Sequence, residues 1–226
     1  MLPMLGSLQP QPVDDRPDLL AEPVRAALER WPHATQVGVV EIDPALADTA
    51  AMTSAYGVPL TASANCVVVA ARRAGQTTLA ACVVLATTRA DVNGLVRRHL
   101  DARKASFAPQ DVAVAESGMA YGGITPIGLP AGWPLLVDAA VAAADLVVIG
   151  SGTRGSKLAV PGDLLTRLPG ARVLDGLGLP LEQRPTATAP PPEGAPDDTD
   201  VGWGERPAVD DDRRYLEDRP PHWGSD

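Results

Sequence analysis

Apolar residues recur at helical spacing near the N-terminus, whereas β-branched runs dominate further along the chain. The first pattern predicts an amphipathic helix over residues 19–31, with Asp18 as its N-cap. Residues 36–42 then predict a strand, and residues 44–56 predict a helix that begins after Asp43 and ends at Gly57. The helical pattern rests on Leu19, Leu20, Val24, Ala27, Leu28 and Trp31.

Two runs rich in Val, Cys and Thr, residues 65–72 and 77–86, are separated by Ala74-Gly75-Gln76. This arrangement predicts an antiparallel hairpin at the centre of a sheet. Helices are expected over residues 91–103 and 109–117, and Gly118 ends the second. Further strands are expected over residues 134–137, 145–150, 157–160 and 172–174, with short helices over 139–144 and 161–168. Strands interleaved irregularly with helices indicate a mixed α/β (α+β) fold.

Composition divides the 226-residue chain into three parts. Residues 1–17 are predicted to be a flexible N-terminal segment, and residues 18–180 a single folded domain. Residues 181–226 carry 5 basic against 12 acidic side chains and are rich in proline. Such a stretch cannot bury enough apolar surface to fold alone, so it is predicted to be a disordered acidic tail. One hypothesis gives this tail a role as a docking arm for a partner.

Residues 1–180 carry 14 basic against 16 acidic side chains, so most of the net charge of −9 lies outside the predicted domain. A nearly neutral domain neither supports nor excludes a nucleic-acid partner. The basic clusters are a solvated hairpin tip and helix face or, alternatively, a small phosphate-binding footprint. They comprise Arg72-Arg73, Arg97-Arg98, Arg103 and Lys104.

The chain contains neither a signal-peptide pattern nor a run that is apolar enough to span a membrane, so a cytoplasmic protein is expected. Cys66 and Cys82 lie on the two strands of the predicted hairpin. A disulfide between them is conceivable, but two free thiols are the expected state of a cytosolic protein.

Two glycine loops follow or precede predicted buried strands. The first contains Gly122, Gly123, Thr125, Pro126 and Gly128, and the second contains Ser151, Gly152 and Arg154. Glycine allows close backbone approach to a ligand, and proline makes a turn rigid. Either loop alone is typical of a plain turn. Two such loops on neighbouring strands favour a pocket.

The order of these motifs resembles the YbaK/EbsC family, which consists of free-standing relatives of the editing domain of bacterial prolyl-tRNA synthetases. The resemblance covers approximately residues 44–174 and includes Gly57-Val58-Pro59, the hairpin and both glycine loops. It implies a largely antiparallel curled sheet or barrel with flanking helices. It also implies hydrolysis, in trans, of the ester that joins a wrong small amino acid to tRNA. Such a second sieve is needed because binding discriminates poorly between small side chains.

The resemblance also implies roles for individual residues. Gly122, Gly123, Thr125, Pro126 and Gly128 would hold the aminoacyl ester and the terminal ribose. Ser151, Gly152 and Arg154 would border the pocket, with Arg154 as a phosphate contact. The implied partners are the acceptor end of an aminoacyl-tRNA and a synthetase, with no membrane.

One position departs from the family pattern. The family has a lysine on the first hairpin strand, and counting from Gly57 places Asn65 there. The only lysines in the chain are Lys104 and Lys157, and neither falls at that position. A neutral amide helps a developing oxyanion less, by about 2–4 kcal/mol if judged from the loss of one oxyanion donor. Asn65 is therefore either a catalytic residue or a strand-edge amide that satisfies backbone groups.

Asp138, at the end of a predicted strand, is the second catalytic candidate, since it could bind the substrate ammonium or orient water. Its alternative role is the N-cap of the helix over residues 139–144. No histidine is positioned to activate Ser151, and no cluster has metal-ligand spacing, so neither a Ser-His hydrolase, a metal nor another cofactor is expected. The leading hypothesis is a trans-editing aminoacyl-tRNA deacylase. The alternative is a non-catalytic module that binds aminoacyl-tRNA or a small amino-acid analogue.

Overall fold

The computed structural model describes residues 3–181. The predicted acidic tail over residues 181–226 lies outside this part of the chain except for its first residue. Among the described residues, no helix is long and apolar enough to cross a membrane. The six α-helices are α1 Glu22–Arg30, α2 Thr49–Tyr56, α3 Arg97–His99, α4 Gln110–Ser117, α5 Ala139–Ala142 and α6 Gly162–Leu165.

Eleven strands in the described residues form three open sheets. One sheet has the order β1-β2-β9-β8, the second β10-β7-β4-β3-β6, and a small third pairs β11 with β5. The mixed α/β architecture is therefore confirmed, whereas closure into a barrel is not. The strands are β1 Gln11–Pro12, β2 Gly38–Glu41, β3 Ala64–Arg73, β4 Gln76–Leu85, β5 Thr88–Ala90, β6 Lys104–Phe107, β7 Leu135–Asp138, β8 Val147–Gly150, β9 Ser156–Val160, β10 Ala171–Leu174 and β11 Gly178–Pro180.

The central hairpin forms as predicted, with β3 and β4 antiparallel around Ala74 and Gly75. Cys82 lies opposite Val67, and Cys66 lies opposite Val83. Because side chains alternate between the faces of a sheet, the two thiols point to opposite faces. Both cysteines are free, so the disulfide does not form.

Several predicted elements differ from the structure at their boundaries. The predicted helix over residues 44–56 is broken: residues Pro44–Leu46 form a 3-10 turn, and α2 starts only after Asp48. Asp18 does not cap α1, because α1 begins at Glu22 with Ala21 at its N-cap position; the carboxylate of Asp18 pairs with Arg16 instead. The helix predicted over residues 91–103 ends earlier, and β6 follows as an unpredicted edge strand.

The main core lies between the four-stranded sheet, the five-stranded sheet and α1. The N-terminal segment that was predicted to be flexible contributes Leu8 and Val13, both buried, to the packing. β1 pairs with β2 through Gln11 and Val39. The start of β3 approaches β8 through a bridge between Ser63 and Val148, which brings the two larger sheets together. The candidate site lies beside this junction.

Candidate functional site

A cavity of about 440 Å³ opens where the start of β3 meets the β8–β9 pair and the first glycine loop. This volume lies within the usual range for small-molecule sites. The polar part of its lining comes from elements that are far apart in sequence. Asp48 and Thr49 come from the start of α2, Asn65 from β3, Gly122 from the glycine loop, and Lys157 from β9.

The two glycine loops lie side by side, as the sequence predicted. The amide of Gly152 donates to the carbonyl of Gly123 at 2.7 Å, and the amide of Ala120 donates to the carbonyl of Gly152 at 2.8 Å. A Cβ on Gly123 would lie 2.3 Å from the carbonyl oxygen of Thr153, so no larger residue fits there. The absence of a side chain allows the two loops to pack together, and the first loop lines the cavity through Gly122 and Ile124.

Lys157 is the polar group that sequence reasoning missed. It lies in the middle of β9, is only 6% exposed and lines the cavity. Its ammonium donates to the carbonyl oxygens of Ala47 at 2.8 Å and Gly122 at 3.3 Å. Burial lowers the pKa of Lys157, the nearby Arg154 lowers it further, and Asp48 opposes this shift. An ammonium has three donors, so one remains after these two bonds.

Asn65 lines the cavity that Gly122 also borders. The hydroxyl of Thr49 donates to Oδ1 of Asn65 at 2.6 Å. This bond fixes the orientation of the amide and leaves its Nδ2 hydrogens to donate elsewhere. The alternative of an amide that satisfies strand-edge backbone groups is not what the structure shows, because the partner of Asn65 is a side chain.

Asp48 supplies the carboxylate of the cavity. Its side chain is 71% exposed and lies 3.9 Å from Nη1 of Arg154. Arg154 also donates to the carbonyl oxygens of Pro44 at 3.2 Å and Tyr121 at 3.4 Å. These contacts connect the second glycine loop to the segment before α2, and they hold the guanidinium of Arg154 near Asp48, outside the cavity lining.

Of the predicted site residues, only Asn65 and Gly122 line the cavity, and the others lie outside its lining. Asp138 is buried, and its carboxylate accepts from the amides of Ala140, at 2.7 Å, and Gly178. The structure thus shows the N-cap that was the alternative role for this residue. Ser151 is fully buried and exchanges a hydrogen bond of 2.7 Å with Ser156.

Thr125 is also fully buried, and its hydroxyl has no hydrogen-bond partner among the described residues. Pro126 and Gly128 line a different surface groove, beside α1. Gly152 packs closely against Ala21 of the segment before α1. The first glycine loop therefore presents Gly122 and Ile124 to the cavity, while Thr125, Pro126 and Gly128 pack elsewhere.

Cys66 lines the cavity, and burial raises the pKa of its thiol. The side chain is therefore a neutral thiol rather than a nucleophilic thiolate. Among residues 3–181, no group of three His, Cys, Asp or Glu side chains is arranged to hold a metal ion. The cavity lining offers one buried ammonium, one carboxylate, the amides of Asn65 and Gln110, and backbone groups, together with the hydroxyls of Thr49, Ser63 and Tyr121.

The fold and the site define an α/β domain with a polar cavity that the first glycine loop lines. The family model for the aminoacyl-tRNA editing domain matches residues 43–168, more than half of the chain. The chain therefore belongs to the aminoacyl-tRNA editing domain family, and its resemblance to YbaK-type domains is confirmed.

Solved structures share this fold. The structure of a proposed trans-editing enzyme for prolyl-tRNA synthetase is 22% identical with a TM-score of 0.59, and the match covers 69% of this chain and 94% of that chain. A scaffold protein used for grafting linear epitopes is 22% identical with a TM-score of 0.59, and the match covers 69% of this chain and 95% of that chain. A hypothetical protein is 20% identical with a TM-score of 0.58, and the match covers 66% of this chain and 97% of that chain. No curated protein sequence matches the chain.

Two signals could have identified the missed residues. Lys157 interrupts a run of buried strand positions directly after a glycine loop, and lysine is almost never buried without a specific partner. Asp48 precedes Thr49 as an N-cap residue would, but Asp43 and Pro44 suggested an earlier helix start. Neither signal says whether the side chain reaches the cavity.

Proposed function

We propose that this protein is a trans-editing deacylase that hydrolyses the ester between a small amino acid and tRNA. The observation that carries the proposal is the ammonium of Lys157, which lies in the same cavity as Asn65 and Gly122. At the family's lysine position the chain has Asn65, and Lys157 supplies a cation to that cavity from a different strand.

Lys157 is suited to stabilise negative charge on an ester oxygen. Its hydrogen bonds to Ala47 and Gly122 hold the ammonium in place before substrate binds, so little reorganisation is needed during the reaction. Its third donor is available to the substrate. The Nδ2 group of Asn65, oriented by Thr49, supplies a second donor to the same oxygen.

Asp48 is suited to bind the α-ammonium of the aminoacyl group. Its carboxylate lines the cavity and is only loosely paired with Arg154, at 3.9 Å. A charge-assisted hydrogen bond to an ammonium is stronger than one between neutral groups. Asp48 therefore takes the role that the sequence had given to Asp138.

The proposed reaction is attack by water on the ester carbonyl carbon. A carbon–oxygen bond forms, and the carbonyl oxygen becomes an oxyanion that Lys157 and Asn65 stabilise. The bond from this carbon to the ribose oxygen then breaks. One proton of the water ends on the released ribose oxygen, which becomes a hydroxyl group, and the free amino acid leaves. The cavity contributes mainly positioning and charge stabilisation.

The direct test is a deacylation assay with tRNA(Pro) charged with cysteine, alanine or proline, together with other small aminoacyl-tRNAs. Hydrolysis faster than the uncatalysed rate on at least one of them is the expected result. Binding without hydrolysis on the whole panel would favour the non-catalytic module, and neither binding nor hydrolysis would refute both. Because such substrates occur where translation takes place, a cytoplasmic location and a synthetase partner are part of the proposal.

A further inference from the structure

A cluster of hydroxyl groups connects the second glycine loop to the segment before α1, residues 16–21. Ser151 directly follows β8, Ser156 begins β9, and both are fully buried. The hydroxyl oxygen of Thr153 lies 3.3 Å from that of Ser151 and 3.1 Å from that of Ser156. We define Ser151, Thr153 and Ser156 as the hydroxyl cluster.

The hydroxyl cluster donates to the carbonyl oxygen of Leu19. A carbonyl oxygen can only accept, so the hydroxyl of Ser156 donates to it at 2.5 Å. Each hydroxyl has one proton, so Ser156 accepts in its 2.7 Å contact with Ser151. Thr153 donates to the same carbonyl oxygen at 3.3 Å, and the amide of Ala21 donates to the carbonyl oxygen of Ser151 at 3.2 Å. The segment before α1 is thus bonded to both ends of the loop.

The partners of the cluster lie outside the region that the family model matches. Leu19 and Ala21 both precede residue 43, where that match begins. Apolar side chains could fill such a buried position without the cost of removing a hydroxyl from water. Fully bonded polar groups instead rigidify a buried region and specify one arrangement. The cluster therefore fixes the geometry of the loop against the segment before α1.

The packing of Gly152 restricts the loop further. A Cβ at this position would lie 2.9 Å from Cγ2 of Val24 and closer still to Cβ of Ala21. The loop has no room to shift towards α1, and the hydrogen bonds of the cluster oppose a shift away from it.

Two connections lead from the hydroxyl cluster to Lys157. Ser156 and Lys157 are consecutive in β9, so their side chains lie on opposite faces of the strand, and only Lys157 lines the cavity. In addition, the amide of Gly152 donates to the carbonyl oxygen of Gly123, and the preceding Gly122 accepts from the ammonium of Lys157 at 3.3 Å. A shift of the second glycine loop would therefore move both the start of β9 and an acceptor of the ammonium.

We propose that the hydroxyl cluster positions Lys157, because it anchors the two glycine loops to the segment before α1 and so fixes where the ammonium meets the ester oxygen. This inference rests on the proposed function for the role of Lys157. Ser156 is a positioning residue, since it lies outside the cavity lining and acts through its neighbours. A displacement of about 1 Å far from the reacting atoms can lower a rate about 10²-fold.

The kinetic test compares Ser156→Ala with the control Thr166→Ala, in the full chain. Both substitutions remove a hydroxyl that donates to a backbone carbonyl oxygen, but Thr166 lies at the end of α6, outside the cavity lining. We expect Ser156→Ala to lower kcat for deacylation by about 10-fold to 10²-fold. Its KM should change by less than about threefold, because no group proposed to bind the substrate is removed. The control should retain both constants.

A second pair of variants keeps the test decisive if Ser156→Ala does not fold. Thr153→Val retains the approximate volume of the side chain and loses only its hydroxyl, whereas Thr153→Ser retains the hydroxyl. We expect the first substitution to lower kcat and the second to leave it near the wild-type value. An equal kcat in the two variants would contradict a role for the hydroxyl group.

The presence of only two lysines in the chain, Lys104 and Lys157, allows a readout that requires no ester. An NMR titration of protein labelled at the lysine Cε atoms would follow Lys157, with exposed Lys104 as an internal reference. Burial and the nearby Arg154, which lies in the second glycine loop, lower the pKa of Lys157. A loosened loop admits water and releases Arg154, so this pKa should rise towards 10.5 in Ser156→Ala.

The two readouts separate this inference from the proposed function. If the wild type hydrolyses no ester but the pKa of Lys157 rises in Ser156→Ala, the proposed function fails and the positioning of Lys157 stands. A folded Ser156→Ala protein with an unchanged titration of Lys157 would overturn the inference, whether or not its kcat falls. An equal fall of kcat in Thr166→Ala would also overturn it.

Discussion

Replacing Lys157 with methionine tests the central feature of the site. Methionine has a similar length and fills the same buried space, but it donates no hydrogen bond and carries no charge. If the ammonium stabilises the oxyanion, its loss should slow hydrolysis of the ester by about 10²–10³-fold, equivalent to about 2.7–4 kcal/mol. The measurement is single-turnover deacylation of the best substrate from the panel.

The stability of the same variant separates a catalytic role from a structural one. The carbonyl oxygens of Ala47 and Gly122 lose a donor, which costs about 1–3 kcal/mol for each group that is left unsatisfied. Removing a buried cation offsets this cost, because replacing buried charge by apolar groups is often neutral or stabilising. We therefore expect the free energy of unfolding in urea to change by less than about 2 kcal/mol.

Two further variants complete this experiment. Lys104→Met removes the only other lysine, which lies outside the cavity, and should leave hydrolysis of an aminoacyl-adenosine ester unchanged. Asn65→Lys/Lys157→Met moves the ammonium from β9 to β3. It should hydrolyse the ester at least about tenfold faster than Lys157→Met alone, since a tenfold change in rate corresponds to only 1.36 kcal/mol. A folded Lys157→Met protein with a rate within threefold of the wild type would refute the reasoning.

Three other predictions follow from the described contacts. First, the pKa of Lys157 is lowered in the folded state, so the unfolded chain binds more protons between that pKa and 10.5. The stability of the wild type relative to Lys157→Met should therefore rise with pH across this window, as urea unfolding at several pH values would show. A stability difference that falls with pH would contradict the lowered pKa. Second, Asp138→Ala should lower the free energy of unfolding by about 1–2 kcal/mol, because the helix cap and the contact to Gly178 are lost. Ester hydrolysis per folded molecule should stay unchanged. A loss of hydrolysis beyond tenfold would instead support the catalytic role predicted from the sequence. Third, Gly123→Ala should destabilise by more than about 1 kcal/mol in thermal unfolding, because its Cβ would meet the carbonyl oxygen of Thr153. Gly155→Ala is the matched control, because neither glycine has a positive φ and a Cβ at Gly155 would meet only the side chain of Pro44, at 3.8 Å. Equal effects of the two substitutions would show that the loops can separate.

The sequence was most informative where a local rule decides the conformation. Gly57 and Gly118 end α2 and α4 in the left-handed conformation, as their positions after helical patterns predicted. The β3–β4 hairpin followed from two β-branched runs around Ala74 and Gly75. These features depend on a few neighbouring residues, so the chain encodes them locally.

Boundaries failed where two local signals competed. Asp43 does cap a turn, accepting from the amide of Ala45 at 2.8 Å, but this turn is a short 3-10 turn that precedes α2. The edge strand β6 was missed because its four residues were left unassigned between the helices predicted over residues 91–103 and 109–117, and pairing with β3 decides their conformation.

The sequence alone determined the family, the mixed α/β class and the presence of two glycine loops, because ordered motifs and local turn chemistry survive without knowledge of contacts. Only the tertiary structure decided which charged groups share the cavity. Lys157 lies 92 residues after Asn65 in the sequence, yet both line it, while Asp48 enters and Asp138 does not. The physical reason is that sheet pairing and helix starts set the direction of each side chain. A one-residue shift in strand register moves a side chain to the other face of the sheet, and a one-residue shift of a helix start turns it by about 100° around the helix axis.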